Sequence, residues 1–143
     1  MKVTSLDEVL RELDALNLWA KADASTVTAQ LAHCAQSVEF SMTGYPAVAM
    51  KSPLFRKTIG KIAKWKFIRA GKMSHDTNAP SVGAPTPEEK TPEAAVQRLR
   101  DAISKFRAHT GPLHPHLAYG DLTREEYDTM HALHIADHFR ALS

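Results

Sequence analysis

Apolar residues recur at three- and four-residue spacing through most of this chain, while alternating apolar–polar stretches are scarce. That period lines one face of a helix and gives a strand no buried side, so the chain is predicted to be all-α. Ser5-Leu6-Asp7-Glu8 has the spacing of a capping box, and Leu6, Val9, Leu10, Leu13 and Leu16 extend it as a short helix to about Leu16. Asn17 to Asp23 reads as its exit and a turn. A second helix is predicted from about Ser25 to Met42, with Val27, Leu31, Cys34, Ala35, Val38 and Met42 on its main stripe and Gly44-Tyr45-Pro46 as its stop. His33 lies off that stripe, towards Ala29, Gln36 and Phe40, so this helix has two partly apolar sides. Thr91-Pro92-Glu93 opens a third core helix that carries Val96, Leu99, Ile103 and Phe106 and stops at Gly111-Pro112. Thr123-Arg124-Glu125-Glu126 is a second capping box and launches the fourth.

Between the second and third core helices the pattern changes. Ser52-Pro53 starts a further helical segment with Phe55, Ile59, Ile62 and Trp65 at helical spacing. Lys51, Arg56, Lys57, Lys61, Lys64, Lys66, Arg69 and Lys72 put eight positive charges there with no acidic residue. The rest of the chain holds ten basic and 16 acidic residues, a formal −6 within a total of +2. A charge run of this kind is usually a solvated face, and binding of nucleic acid or another polyanion through residues 51–72 is the less favoured reading. Gly71 to Thr91, with Pro80, Pro85 and Pro87, is a loop long enough to be a lid or binding segment.

A chain of 143 residues reads as one domain with a sizeable core. The lone Cys34 cannot form an internal disulfide, and no basic-then-apolar leader or run of about 18 apolar residues is evident. A soluble cytoplasmic protein without a membrane partner is expected. Cys34 lies on the apolar stripe and reads as a buried small hydrophobe, not a nucleophile.

The chemistry concentrates in the last helix. At about 100° per residue, His131, His134 and His138 fall within about 60° of one another, on the face of Tyr127, Met130 and Leu142. His134 and His138 have Cα atoms about 6 Å apart, close enough to share an ion about 2.1 Å from each nitrogen. His131 and His138 are about 10 Å apart, too far for one ion. His131 and Tyr127 are therefore pocket candidates, and Asp137 a candidate outer acceptor. A pair of ligands holds a metal weakly. A third has to come from another helix, and His33 is the histidine inside a core helix elsewhere. Buried histidines also commonly serve only as hydrogen-bonding core groups, so spacing alone leaves both roles open. His75, His109, His114 and His116 read as solvated or structural loop histidines.

Leu31 to Met42 followed by Gly44-Tyr45-Pro46 resembles the second-helix signature of DinB-like proteins, closest to a branch known only as a domain of unknown function. The likeness continues through Leu54 to Lys61, returns at Tyr119-Gly120-Asp121-Leu122-Thr123, and ends in the His134–His138 helix. The resemblance implies a four-helix bundle that is frequently a homodimer. It also implies a divalent metal on His33, His134 and His138, with Zn, Ni, Fe and Mn all open as its identity and occupancy undecided. Known activities in that family include metal-dependent transfer to small thiols, and the family name is no sign of DNA binding. Relatives in this branch usually end H-x-x-H-H-L-x-Q-F, whereas this chain carries Asp137 for one histidine and Ala141 for the glutamine. The expected function is a metal-dependent small-molecule enzyme of thiol transferase or hydrolase type. A non-catalytic binding or dimerisation module with a vestigial or empty metal site is the alternative.

Overall fold

A computed structural model describes residues 3–15 and 22–143. The apolar spacing forms helices α1 (Leu6–Ala15), α2 (Ala24–Thr43), α3 (Pro53–Lys57), α4 (Ile59–Ala70), α5 (Pro92–Ala108) and α6 (Arg124–Leu142), with one 3-10 turn at Ala47–Ala49. No strand forms among the described residues; an isolated bridge joins His116 and Gly120. The predicted end of the first helix at Leu16 and most of the turn after it lie outside the described residues. No helix is long and apolar enough to cross a membrane among the described residues.

Local chemistry sets the helix ends. The Asp23 carboxylate accepts from Thr26 N at 2.9 Å, which starts α2 at Ala24. Thr123 and Glu126 form a full capping box: Glu126 N donates to Thr123 Oγ1 at 3.1 Å and Thr123 N to Glu126 Oε1 at 3.0 Å. The Ser5 box is only half made. Glu8 N donates to Ser5 Oγ at 3.3 Å, but the Glu8 carboxylate takes the Ser5 hydroxyl, at 3.1 Å, instead of the backbone N–H.

One core joins α1, α2, α5 and α6. Leu6, Val9, Val27, Leu31, Val38, Leu99, Ile103, Phe106, Tyr127, Ile135 and Phe139 are all buried in it. At about 25 cal/mol per Å² of apolar surface, side chains of this size are the main source of stability. Helix α6 is enclosed on a second side as well, where Met130 and Leu133 join Met73 and pack against Phe67 and Ile68 of α4. The basic segment was expected as one helix and is broken into α3 and α4 at Thr58, whose φ of −118° and ψ of −89° are not helical. The Thr58 hydroxyl donates back to Leu54 O at 2.6 Å, closing the end of α3. On the outer side of α4, Ile59, Ile62 and Trp65 are exposed among the lysines, while Lys64 pairs with Glu126 at 2.6 Å.

The break lets α4 start against the turn at residues 116–120. Gly60 is buried there, and a Cβ at this position would stand 1.9 Å from the Ala118 carbonyl oxygen. The contact is with backbone, so it cannot be relieved by a rotamer change. In an open helix, alanine is about 1 kcal/mol better than glycine. Here the sign reverses: Gly60→Ala is expected to lower the thermal midpoint followed by circular dichroism. An unchanged or raised midpoint would show that the turn yields freely.

Candidate metal centre

Residue 33 of α2 and residues 134 and 138 of α6 meet across the interface of the two helices. His33, His134 and His138 each offer one ligand nitrogen, and the three nitrogens lie within 4.8 Å of one another. Their ring centroids are 5.3 Å (His33–His134), 5.0 Å (His33–His138) and 4.8 Å (His134–His138) apart. Two features of helix geometry explain the arrangement. The i, i+4 spacing stacks His134 over His138 on α6, and the off-stripe angle of His33 turns it from the apolar contact of α2 towards that pair.

A fourth histidine lies beside two members of this cluster. His75 follows α4 in the long loop, and its ring lies 4.8 Å from that of His134 and 4.9 Å from that of His138. Sequence reading gave it no ligand role, because loop residues have no periodicity that predicts where they point. The signal available was Asp137, the residue that replaces a histidine of the resembling branch. Its Oδ2 accepts from His75 Nδ1 at 2.7 Å and from His75 N at 3.0 Å, while Oδ1 accepts from Arg140 at 3.2 Å. Asp137 thus acts as an acceptor for a histidine in the loop rather than for one on its own helix.

Partners around the rings hold them in place. His138 Nδ1 is 2.8 Å from Gln30 Oε1, His33 Nδ1 is 2.7 Å from Ser81 Oγ, and Gln36 Nε2 donates to Pro85 O at 2.7 Å. The loop therefore runs as a strap over the side of α2 that carries Gln30, His33 and Gln36, which is why two glutamines are buried on it. Burial, then the neighbouring histidines, lowers His138 to about 3 and holds His134 well below the usual imidazole range. Burial and His75 lower His33 too. Neutral imidazole is the form that binds a metal.

A cavity of about 490 Å³ opens beside the cluster, with His33, His75 and His134 at one end and Phe40, Tyr45, Met73, Tyr119 and Met130 along its walls. This size suits a small molecule. Burial raises Tyr45 well above the usual phenol range and Tyr119 to about 12, so both present a neutral hydroxyl. His131 also lines the cavity, with Nε2 3.1 Å from Ser41 Oγ and its ring stacked on Tyr127. Tyr127 is placed in the core, where its hydroxyl donates to His114 O at 2.6 Å. Among the loop histidines, His116 accepts from Ala118 N and Tyr119 N and is built into the turn against α4. Cys34 is fully buried and its thiol is pushed far up by burial, which leaves no thiolate for catalysis.

Burial holds His131 and His116 at about 3, below the usual 6.5. Between those values the unfolded chain binds protons that the folded chain refuses, so stability falls as pH falls through that window and is complete above it. The thermal midpoint is expected to drop steadily from pH 7 to pH 4, and His131→Gln, which keeps a partner for Ser41, should flatten part of that drop. Parallel curves for the two proteins would remove His131 as a source.

No curated protein and no solved structure matches this chain. A match of a described family covers residues 1–143, and the chain belongs to that family, Protein of unknown function (DUF1569).

Proposed function

We propose that this chain is a DinB-like four-helix bundle, formed by α1, α2, α5 and α6, whose His33, His134 and His138 hold a divalent metal for chemistry on a small molecule. One observation carries the reading: three nitrogens from two helices lie within 4.8 Å of one another beside a cavity of about 490 Å³. The donor set fits the group. Three neutral imidazoles suit Zn, Ni or Fe better than a hard ion such as Mg, and Gln30 and Ser81 fix the ring directions of His138 and His33. When bound, such an ion lowers the pKa of a water or thiol and so supplies a nucleophile near neutral pH.

The chain's own residues do the rest. Phe40, Met73 and Met130 exclude water and favour an apolar substrate body, and Tyr119 adds a neutral hydroxyl to the cavity lining. Lys51 lies on the cavity rim and attracts an anionic end of the substrate. Thiol transfer and hydrolysis both fit this arrangement. A small thiol as substrate, a homodimer and a cytoplasmic setting enter the proposal from the DinB-like resemblance.

Untagged protein equilibrated with Zn, Ni, Fe or Mn salts and freed of excess metal is expected to retain about one ion per chain by elemental analysis. His33→Ala and His138→Ala should each lose it. Bound metal should also raise the thermal midpoint of the wild-type protein, because it binds only the folded state. Wild-type protein that retains no ion, or variants that retain as much as wild type, would overturn the reading.

A further inference from the structure

We infer that His75 is a fourth, exchangeable ligand of this metal, so that the loop it belongs to closes the site at rest and must release it for a substrate to bind. The inference rests on the metal reading above and adds the state of the coordination sphere and what gates it.

The Nδ1–H groups of His75 and His138 are both engaged. Asp137 is a carboxylate that accepts only, and it takes His75 Nδ1–H at 2.7 Å. Gln30 Oε1 also accepts only, and it takes His138 Nδ1–H at 2.8 Å. In the form that binds a metal each ring has one N–H, and with that N–H on Nδ1 the Nε2 atom of each carries a bare lone pair. These two Nε2 atoms face each other at 3.2 Å. Two lone pairs at that distance repel, and a cation held between them turns the contact into an attraction. Two nitrogens each about 2.1 Å from a tetrahedral ion lie about 3.4 Å apart, close to the spacing seen. His75 also has its ring within 4.8 Å of the ring of His134, so it sits over two of the three proposed ligands.

His75 differs from the other three histidines in its attachment to the fold. His33, His134 and His138 belong to α2 and α6, whose faces are locked into the core. His75 belongs to a loop anchored at its start by buried Met73 and held beyond it by polar contacts, Gln30 to Asn78 at 3.5 Å and Ser81 to His33 at 2.7 Å, with Arg140 on Met73 O at 3.0 Å. Two of those contacts reach the loop through a proposed ligand or the residue that orients one. Four imidazoles leave a tetrahedral ion no open position, which describes a structural site. A reactive site needs one position back, and the ligand least costly to release is the one on the loop. A substrate thiolate that takes that position displaces the His75 ring, which stays hydrogen-bonded to Asp137. No oxidation is needed at that exchange, and a substrate that arrives as the thiol gives its S–H proton to solvent as it binds.

The test uses the whole chain loaded with Co(II) in place of the native ion. Four-coordinate Co(II) absorbs visible light far more strongly than five- or six-coordinate Co(II), so the spectrum reports the ligand count without any assay of activity. Wild type is expected to show the strong band. His75→Ala and His75→Gln should keep a bound ion with a weakened, shifted band, and should bind it at least about tenfold less tightly in competition with a chelator. Limited proteolysis gives a second readout: metal should protect the 72–90 loop in wild type and not in His75→Ala. A small thiol added to wild type should change the band and expose the loop. If both His75 variants match wild type in band, affinity and protection while His138→Ala loses the ion, the metal reading stands and His75 is no ligand. If wild type binds no Co(II), both fail together.

Discussion

The enclosure of α6 is the constraint on which the rest of the structure depends. Helices α1 and α2 cover one side of it and α4 another, so Tyr127, Met130, Leu133, Ile135 and Phe139 are all out of solvent. Its histidines are enclosed with them, and each imidazole has to find a partner or leave a polar atom stranded at a cost of about 1–3 kcal/mol. Ser41 serves His131 and Gln30 serves His138. No buried side-chain nitrogen or oxygen is left without a partner among the described residues. Burial of one helix thus dictates a polar network on α2, and that network in turn aims the rings at a common point.

The long loop is the second consequence. Helix α2 buries its main stripe against α5 and α6, yet Gln30 and Gln36 on its other side are also buried. The strap over residues 72–90 covers them. Its far end is tied down by Arg98, which bridges Glu39 of α2 at 2.7 Å and Glu89 of the loop at 3.0 Å. These side chains are partly exposed, so the bridges position the loop more than they stabilise the fold. A segment held by polar contacts over a packed core is the part of a protein that opens at least cost. In this chain that segment carries His75.

Much of the fold was legible in the residues. The Thr91-Pro92 start, the Thr123–Glu126 box and the apolar spacing of α1, α2, α5 and α6 are local features, and local hydrogen bonds and burial decide them. The break at Thr58 was less legible, since the residues on both sides keep helical spacing. It follows from a contact with the turn at 116–120, which lies about sixty residues away in sequence. In the site, the i, i+4 pair on α6 needs only helical geometry to predict. His33 could be proposed as its partner by elimination and resemblance, but its distance from that pair is a property of how α2 and α6 pack.

The sequence by itself determined the apolar faces of α1, α2, α5 and α6, the capped starts of α5 and α6, and the rings that share a face within α6, because backbone geometry repeats every few residues and carries that information locally. Only the tertiary structure decided that α6 is covered on two sides, that Gly60 abuts the Ala118 carbonyl, and that His75 lies beside His134 and His138. Those facts depend on chain segments with no fixed phase relative to one another until the core packs. His75 is the clearest case. In a loop without periodicity its direction is set by Asp137, 62 residues further along, and a pairing of that kind is made by the fold alone.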